Sequence, residues 1–180
     1  LFGAGDVGIT ALDERWHYAS RFSDIDLVDK PPEIFSELDN VIVVVVPMNY
    51  KLMQTVPSAL GSTATGQGYS NDATLLVTLA QYIRGLGYQA ASSLNDTALS
   101  IPYAIKAGLG EYGRNGLLIT TEVGPRVRLG KVFTNMHLAH DKPIRFGVKE
   151  FCKICKRCAQ TCPSRSISYD EPNAFPSSQS

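Results

Sequence analysis

The sequence Asn40-Val41-Ile42-Val43-Val44-Val45-Val46 decides the fold of this chain of 180 residues. Its six consecutive β-branched residues favour an extended strand, and Pro47 ends the run. A strand with one wet face would alternate apolar and polar residues, whereas this one has no polar face. The sequence therefore predicts a strand that is covered on both sides by helices, which indicates an α/β fold.

Glycine and cap-type residues divide the next part of the chain into a loop and a helix. Residues 61–68 are rich in Gly, Ser and Thr, which predicts a loop that Tyr69 closes. Ser70 and Asn71 are typical helix caps, and the helix after them is expected to end at Gly85. The apolar residues of this helix keep helical spacing: Leu75, Leu76, Leu79, Ile83 and Leu86.

Further strands and one more helix are predicted between this helix and the cysteines. A short strand at residues 88–94 leads into Asn95 at its C-terminal end, and ligands bind at that end of the strands in open α/β sheets. Pro102 is well suited to the first turn of a helix that ends before the next glycines. Residues 117–120 and 126–134 are predicted strands joined by a Gly-Pro turn.

The N-terminal residues 3–8 spell G-x-G-x-x-G, which has two interpretations. A dinucleotide site of an NAD-linked oxidoreductase requires a strand before the glycines, and only two residues precede them. The alternative is a glycine-rich turn that opens a helix. Thr10 with Asp13 resembles a capping box, so we expect the turn and a short helix.

Charge and hydropathy exclude some classes of partner. The 17 basic and 17 acidic residues cancel, so bulk charge does not predict nucleic-acid binding. No apolar run reaches the roughly 18–20 residues that span a bilayer. The chain starts at Leu1 rather than a methionine and ends in Ser-Ser-Gln-Ser, from which we expect truncation at both ends.

All four cysteines lie within residues 152–163, in the pattern C-x2-C-x2-C-x3-C-P. Bacterial ferredoxins bind iron–sulfur clusters with this pattern, and in two-cluster ferredoxins the fourth cysteine ligates the other cluster. Structural zinc prefers two separated cysteine pairs, and disulfide scaffolds are small and secreted, so both fit less well. The fourth cysteine either completes the first cluster or binds a second one whose other ligands follow the last residue, and we favour the second interpretation. The predicted metal ligands are Cys152, Cys155, Cys158 and Cys162.

An electron-carrying cluster implies a redox site elsewhere, and three polar residues stand out by placement: Tyr69, Asn95 and Arg128. A guanidinium beside a tyrosine stabilises the phenolate, which makes the phenol a plausible proton donor. Residue types alone favour the ordinary interpretation, a half-buried tyrosine and a solvated arginine. Residues 108–116 contain four glycines, which either let the backbone approach a bulky ligand or form an irregular loop.

Three linked segments resemble the catalytic subunit of corrinoid-dependent reductive dehalogenases. They are GLGEYGRNGLLIT at residues 108–120, GPRVRLGKVFT at residues 124–134 and DKPIRFGVKEFCKICKRCAQTCP at residues 141–163. The similarity extends back to GAGDVG and LDERWHY and so covers nearly the whole chain. This set of motifs is far more specific than the cysteine pattern alone.

The resemblance implies the fold, the domains and the cofactors. It implies a nitroreductase-like α/β corrinoid-binding domain at residues 1–145 and a ferredoxin-like iron–sulfur module at residues 146–180. The full-length protein would hold two 4Fe–4S clusters and a cobamide without a protein histidine on cobalt. The absence of a D-x-H-x-x-G pattern from the sequence agrees with this. The second cysteine motif of the family is absent, as expected for a truncated module.

The resemblance also implies a reaction and the residues that perform it. Reduced cob(I)amide would remove halide from an organohalide, such as a small chlorinated aliphatic, with electrons from the clusters. By motif position, Tyr69 corresponds to the proton donor, Arg128 to the arginine that stabilises its phenolate, and Asn95 to the polar residue beside it. The predicted corrinoid contacts are Gly110, Glu111, Gly113, Arg114 and Asn115.

Partners and location follow from the same resemblance. We expect an electron donor such as a quinol-linked or ferredoxin-like carrier, a small membrane-anchor subunit and no nucleic acid. The location implied is the outer face of the cytoplasmic membrane, after twin-arginine export. Two other interpretations stay open: a tRNA-modifying enzyme like epoxyqueuosine reductase, whose proton donor is an aspartate such as Asp72, and a plain ferredoxin-type electron carrier.

Overall fold

The computed structural model describes residues 3–23, 27–30 and 37–170. The last ten residues of the predicted iron–sulfur module therefore lie outside the described part of the chain. The strands are β1 (Asp6–Ala11), β2 (Arg21–Ser23), β3 (Val28–Lys30), β4 (Asn40–Pro47), β5 (Ala90–Ser93), β6 (Glu111–Tyr112), β7 (Leu118–Ile119) and β8 (Val127–Thr134). The helices are α1 (Tyr50–Met53), α2 (Ala59–Gly85), α3 (Ser100–Lys106), α4 (Val148–Cys155) and α5 (Arg157–Gln160), with a 3-10 helix at Glu14–Trp16.

The β-branched run forms a central strand, as predicted. β4 lies inside a four-stranded sheet of order β1-β4-β8-β5, in which every neighbouring pair is antiparallel. All seven residues of β4 before Pro47 are buried. Burial of one valine side chain stabilises a fold by about 1.5–3 kcal/mol, so this strand supplies much of the apolar driving force.

Helices cover both faces of the sheet, which confirms the expectation from the sequence. On one face, residues of α2 pack against Ile42, Val44, Val46 and Val132. On the other, α3 packs against alternate residues of β4 and against Phe133. Side chains of a strand alternate between its faces, so β4 contributes to two separate cores.

The prediction of a loop at residues 61–68 is wrong, because these residues form the first part of α2. Ser58 caps this helix, and its Oγ accepts a hydrogen bond from the Gly61 backbone N–H at 3.1 Å. The small residues Gly61, Ala64 and Gly68 recur at spacings of three and four on the buried side of the helix. A Cβ on Gly68 would approach Cγ of Arg128 to 3.0 Å. The small residues therefore reflect close packing of a helix rather than a loop.

The prediction of a turn and helix near residues 3–8 is also wrong. The last three of these residues belong to β1, an edge strand that pairs with β4. The position of Gly8 has a steric reason, since a Cβ there would collide with the carbonyl of Ala107. Thr10 lies in β1, and Asp13 alone caps the 3-10 helix. A strand at this place is also incompatible with the dinucleotide motif, in which the glycines open a helix.

The remaining predicted elements occur where the sequence places them. β5, α3, β7 and β8 fall within one to three residues of the predicted bounds, and α2 ends at Gly85 as expected. Gly87 and Gly108 follow their helices with positive φ angles of 93° and 75°, a conformation that favours glycine. Within the described ranges, no helix is both long and apolar enough to cross a membrane.

Two glycines of α2 test the corrected helix boundary. Gly66 is exposed and a Cβ there would meet no atom within 4 Å, so Gly66→Ala should stabilise the helical state by about 0.5–1 kcal/mol. Gly68→Ala should lower the melting temperature, because the added methyl group crowds Arg128 and Met48. Thermal unfolding of both variants at one pH measures the difference. A lower melting temperature for Gly66→Ala would contradict a helix at this position.

Candidate active site

Three residues that the sequence singled out meet beside the C-terminal end of β5. Tyr69 is on α2, Asn95 follows β5 and Arg128 is on β8. The Asn95 Nδ2 group donates a hydrogen bond to the Tyr69 hydroxyl at 3.2 Å. The guanidinium carbon of Arg128 lies 4.3 Å from the centroid of the Tyr69 ring. A phenol is thus held between an amide donor at its oxygen and a cation on its face.

The packing of α2 on β8 explains this arrangement. The side chain of Arg128 passes close to Gly68, where any larger residue would crowd its Cγ atom. Tyr69 is the next residue of the helix and keeps 37% of its surface exposed. The residue is therefore partly accessible to solvent.

Asp72 also lies near Tyr69. The sequence suggested a role for it only as the proton donor of an enzyme like epoxyqueuosine reductase. It follows Tyr69 by less than one turn of α2 and is only 1% exposed. Burial raises the pKa of this carboxyl group to about 6, although the charges of Lys131 and Arg128 oppose the shift. The signal in the sequence was an acidic residue inside the apolar stripe of a helix, since such residues are rarely buried without a reason.

Lys131 is a second buried charge that sequence reasoning missed. It is fully buried on the opposite face of β8, and its Nζ donates to the Leu94 carbonyl and, at 2.7 Å, to Ser100 Oγ. Desolvation lowers the pKa of this ammonium group to about 8, against the opposing effect of Asp96 and Asp72. Its hydrogen bonds tie down both ends of the segment that carries Asn95.

The glycines of residues 108–116 are used mainly for internal packing. A Cβ on Gly110 would collide with the Ile119 carbonyl, and one on Gly113 would lie 2.7 Å from Asn115 Oδ1. The Asn115 side chain itself accepts a hydrogen bond from the Leu117 backbone N–H at 3.2 Å. The tight β6–β7 hairpin thus explains Gly110 and Gly113 without invoking a ligand, and Gly108 follows α3 with a positive φ angle.

Glu111 and Arg114 connect this hairpin to the cysteine segment. Glu111 Oε2 accepts backbone hydrogen bonds from Phe146 at 2.7 Å and Val148 at 3.1 Å, at the start of α4. Desolvation raises the pKa of Glu111, but the backbone donors at residues 146–148 outweigh this effect, so the pKa is lowered overall. Arg114 donates to the Cys152 carbonyl at 3.1 Å and to the carbonyls of two residues that follow α5, Ser168 and Asp170. The two side chains thus hold the cysteine segment from both ends.

Three of the four cysteines face the same cavity. Cys152, Cys155 and Cys158 line a space of about 510 Å³ together with residues of the glycine-rich hairpin, Gly113, Arg114 and Asn115. All four cysteines are free thiols. In residues 3–23, 27–30 and 37–170, no three His, Cys, Asp or Glu side chains are already converged as metal ligands. The donor set nevertheless fits an iron–sulfur cluster, because three thiols at the ferredoxin spacing open into one cavity.

Cys162 does not line that cavity. Its Sγ lies 3.3 Å from Ser164 Oγ and 3.6 Å from Ser166 Oγ. The hydroxyl groups of Ser164 and Ser166 lower the pKa of the thiol to about 6, which favours the thiolate that metals bind. The fourth cysteine therefore occupies an environment of its own.

Comparisons with known proteins agree with the resemblance. The family model described as reductive dehalogenase subunit matches residues 34–144. The tetrachloroethene reductive dehalogenase of Desulfitobacterium hafniense is 40% identical over 95% of this chain, and the match spans 37% of that protein's length. The chain thus spans less than half of the length of this relative.

Solved structures support the same relationship at the level of the fold. A catabolic reductive dehalogenase superposes with a TM-score of 0.84 at 29% identity, over 93% of this chain and 24% of the other. Epoxyqueuosine reductase from Streptococcus thermophilus gives a TM-score of 0.65 at 21% identity, over 94% of this chain and 51% of the other, and so shares the fold. The mixed α/β content, the family match and the high identity lead to one conclusion: the chain belongs to the reductive dehalogenase family.

Proposed function

We propose that this chain is part of an oxidoreductase that removes halogen reductively from a small chlorinated aliphatic such as a chloroethene. The observation that carries the proposal is the contact of the partly exposed Tyr69 with Asn95 and Arg128. The substrate class is supported by 40% identity to a tetrachloroethene reductive dehalogenase. Two electrons and one proton convert the organohalide to the hydrogen-substituted product and a halide ion.

Tyr69 is the proposed source of the proton. Asn95 holds the phenol oxygen through its hydrogen bond and so restricts the direction in which the O–H group points. Loss of the proton leaves a phenolate, and the positive charge of Arg128 beside the ring stabilises that anion. Each of the three residues therefore has a distinct role: Tyr69 donates, Asn95 orients and Arg128 offsets the developing negative charge.

The proposed cofactors are a cobamide and 4Fe–4S clusters, two in the full-length protein. When bound, the cobamide supplies reduced cobalt for cleavage of the carbon–halogen bond with electrons from the clusters. Cys152, Cys155 and Cys158 would hold one cluster, and Cys162 would bind the second. Gly113, Arg114 and Asn115 line the cavity of the first three thiols, so they would contact a group beside that cluster. Gly110 and Glu111, also predicted as corrinoid contacts, would act by shaping and anchoring this region.

The domain division, the partners and the location are part of the same proposal. Residues 1–145 would form the nitroreductase-like corrinoid domain, and residues 146–180 the ferredoxin-like module. An electron carrier, quinol-linked or ferredoxin-like, would reduce the clusters, and a small membrane-anchor subunit would bind the enzyme. Its place would be the outer face of the cytoplasmic membrane after twin-arginine export. All of these rest on membership of the family.

Burial disfavours the epoxyqueuosine reductase alternative. In that interpretation an aspartate donates the proton, and Asp72 is the nearby candidate. Asp72 is 1% exposed and faces β8, whereas Tyr69 is 37% exposed. A proton donor has to reach its substrate, so the tyrosine is the better placed of the two. A plain ferredoxin-type carrier would leave the contact of Tyr69, Asn95 and Arg128 without a role.

Replacement of the proton donor tests the proposal. In the full-length protein reconstituted with cobamide, Tyr69→Phe should lower dehalogenation of tetrachloroethene by about 10²–10⁴-fold, because the phenol proton is lost. Cobalt and iron contents should stay unchanged. Tyr82→Phe, on the exposed side of the same helix, is the matched control and should keep full activity. Undiminished turnover of Tyr69→Phe would refute its role as the donor.

Two cysteine variants distinguish one cluster from two. If Cys155 and Cys162 bind different clusters, Cys155→Ala and Cys162→Ala should each remove a different electron paramagnetic resonance signal of the reduced full-length protein. Iron content should fall by about half in each case, since each variant spares one cluster. Loss of the same signal in both variants would show that Cys162 completes the first cluster. Zinc in place of iron in the purified protein would overturn the cluster assignment altogether.

A further inference from the structure

β8 has a glycine, Gly130, directly beneath Asp72, and its missing side chain leaves space for the carboxyl group. A Cβ on Gly130 would collide with Asp72 Oδ1 and lie 2.5 Å from a methyl carbon of Leu76. Only glycine at this position leaves space for a carboxyl group between α2 and β8. The carboxyl group is thereby held beside the sheet and out of contact with bulk water.

Two buried polar atoms of opposite charge lie in this interface without a hydrogen-bond partner. Within the described ranges they are Asp72 Oδ1 and Arg128 Nε. Arg128 precedes Gly130 by two residues on β8, so both point toward α2. The charge of Arg128 acts on the carboxyl group of Asp72. The same guanidinium stacks on the ring of Tyr69. Its charge therefore acts on both a carboxyl group and a phenol.

Two charged groups act on Asp72, Lys131 and Arg128, and of these Arg128 is the one that stacks on Tyr69. Lys131 acts on Asp72 from the opposite face of β8, where its ammonium group is bound to Leu94 and Ser100 and influenced by Asp96. The residues of β4 in the same core are Ile42, Val44 and Val46, and none of them is ionisable. On α2 itself, the ionisable neighbour within one turn is Tyr69.

We propose that Asp72 is a positioning residue that controls how much of the Arg128 charge is available to stabilise the Tyr69 phenolate. This inference rests on the proposed function, in which Tyr69 is the proton donor. An ionised Asp72 offsets the guanidinium and repels the phenolate, so proton donation is harder. A neutral Asp72 leaves the full charge of Arg128 to the phenolate, so proton donation is easier. Asp72 remains buried throughout and touches no substrate.

Ultraviolet titration of tyrosinate tests this coupling without any cofactor or substrate. The experiment uses the full-length protein. The ionisation of residue 69 is the titration curve of each protein minus the curve of the same protein with Tyr69→Phe added. Asp72→Asn should shift this ionisation to lower pH by about one unit, because one nearby negative charge is removed. Asp39→Asn removes the same charge from an exposed residue at the far end of β4, about 20 Å from the site, and should cause no shift. An unchanged ionisation, or a shift to higher pH, in Asp72→Asn would overturn the inference.

The pH dependence of turnover provides the second readout. Since the pKa of Asp72 is about 6, wild-type dehalogenation should decline as the pH rises through 6, and Asp72→Asn should lack this step. A step that persists in the variant would count against Asp72. If the protein does not dehalogenate at all, the proposed function fails, but the tyrosinate titration still decides the coupling.

A folding control accompanies both measurements. Asp72→Asn is nearly the same size as the natural residue and should fold. If it does not, Asp72→Ser removes the same charge and needs less space beside Gly130. The titration is then performed on that variant, with the same expected shift and the same contradicting result.

Discussion

The fold depends on one constraint: β4 has no face that tolerates water. A strand of six β-branched apolar residues can be buried only if something covers it on both sides. α2 and α3 do so, and the sheet order places β8 beside β4. The long helix α2 then crosses β8 where Gly68 and Gly130 allow close approach. Tyr69 and Arg128 meet as a direct result of this packing.

The same packing separates two acidic groups by exposure. Tyr69 and Asp72 are three residues apart on one helix, but only the tyrosine reaches the surface. The phenol is therefore partly in contact with solvent, whereas the carboxyl group lies in the interior. Their common neighbour Arg128 stacks on the phenol ring and acts on the carboxyl group through its charge, so it can couple the two.

The cysteine segment depends on a different kind of contact. Its attachment to the hairpin consists largely of hydrogen bonds from Glu111 and Arg114 to backbone groups rather than an apolar core. Such bonds are directional, so they specify the position of the segment as well as its attachment. This suits the electron relay proposed for the segment, because electron transfer depends on distance. Residues that the resemblance assigned to the corrinoid thus have a clear structural purpose in this chain.

Local patterns in the sequence determined the central strand, the end of α2 at Gly85, the end of α3 before Gly108 and the spacing of the cysteines. These features depend on neighbouring residues, so they can be predicted without knowing the rest of the fold. The helical state of residues 61–68, the strand at Gly8 and the burial of Asp72 were decided by tertiary structure. Gly68, Gly8 and Asp72 fit against Arg128, Ala107 and Gly130 respectively, which are 58 or more positions away in sequence. Glycine favours a loop by its own conformational entropy, and only close packing against a distant element reverses that preference.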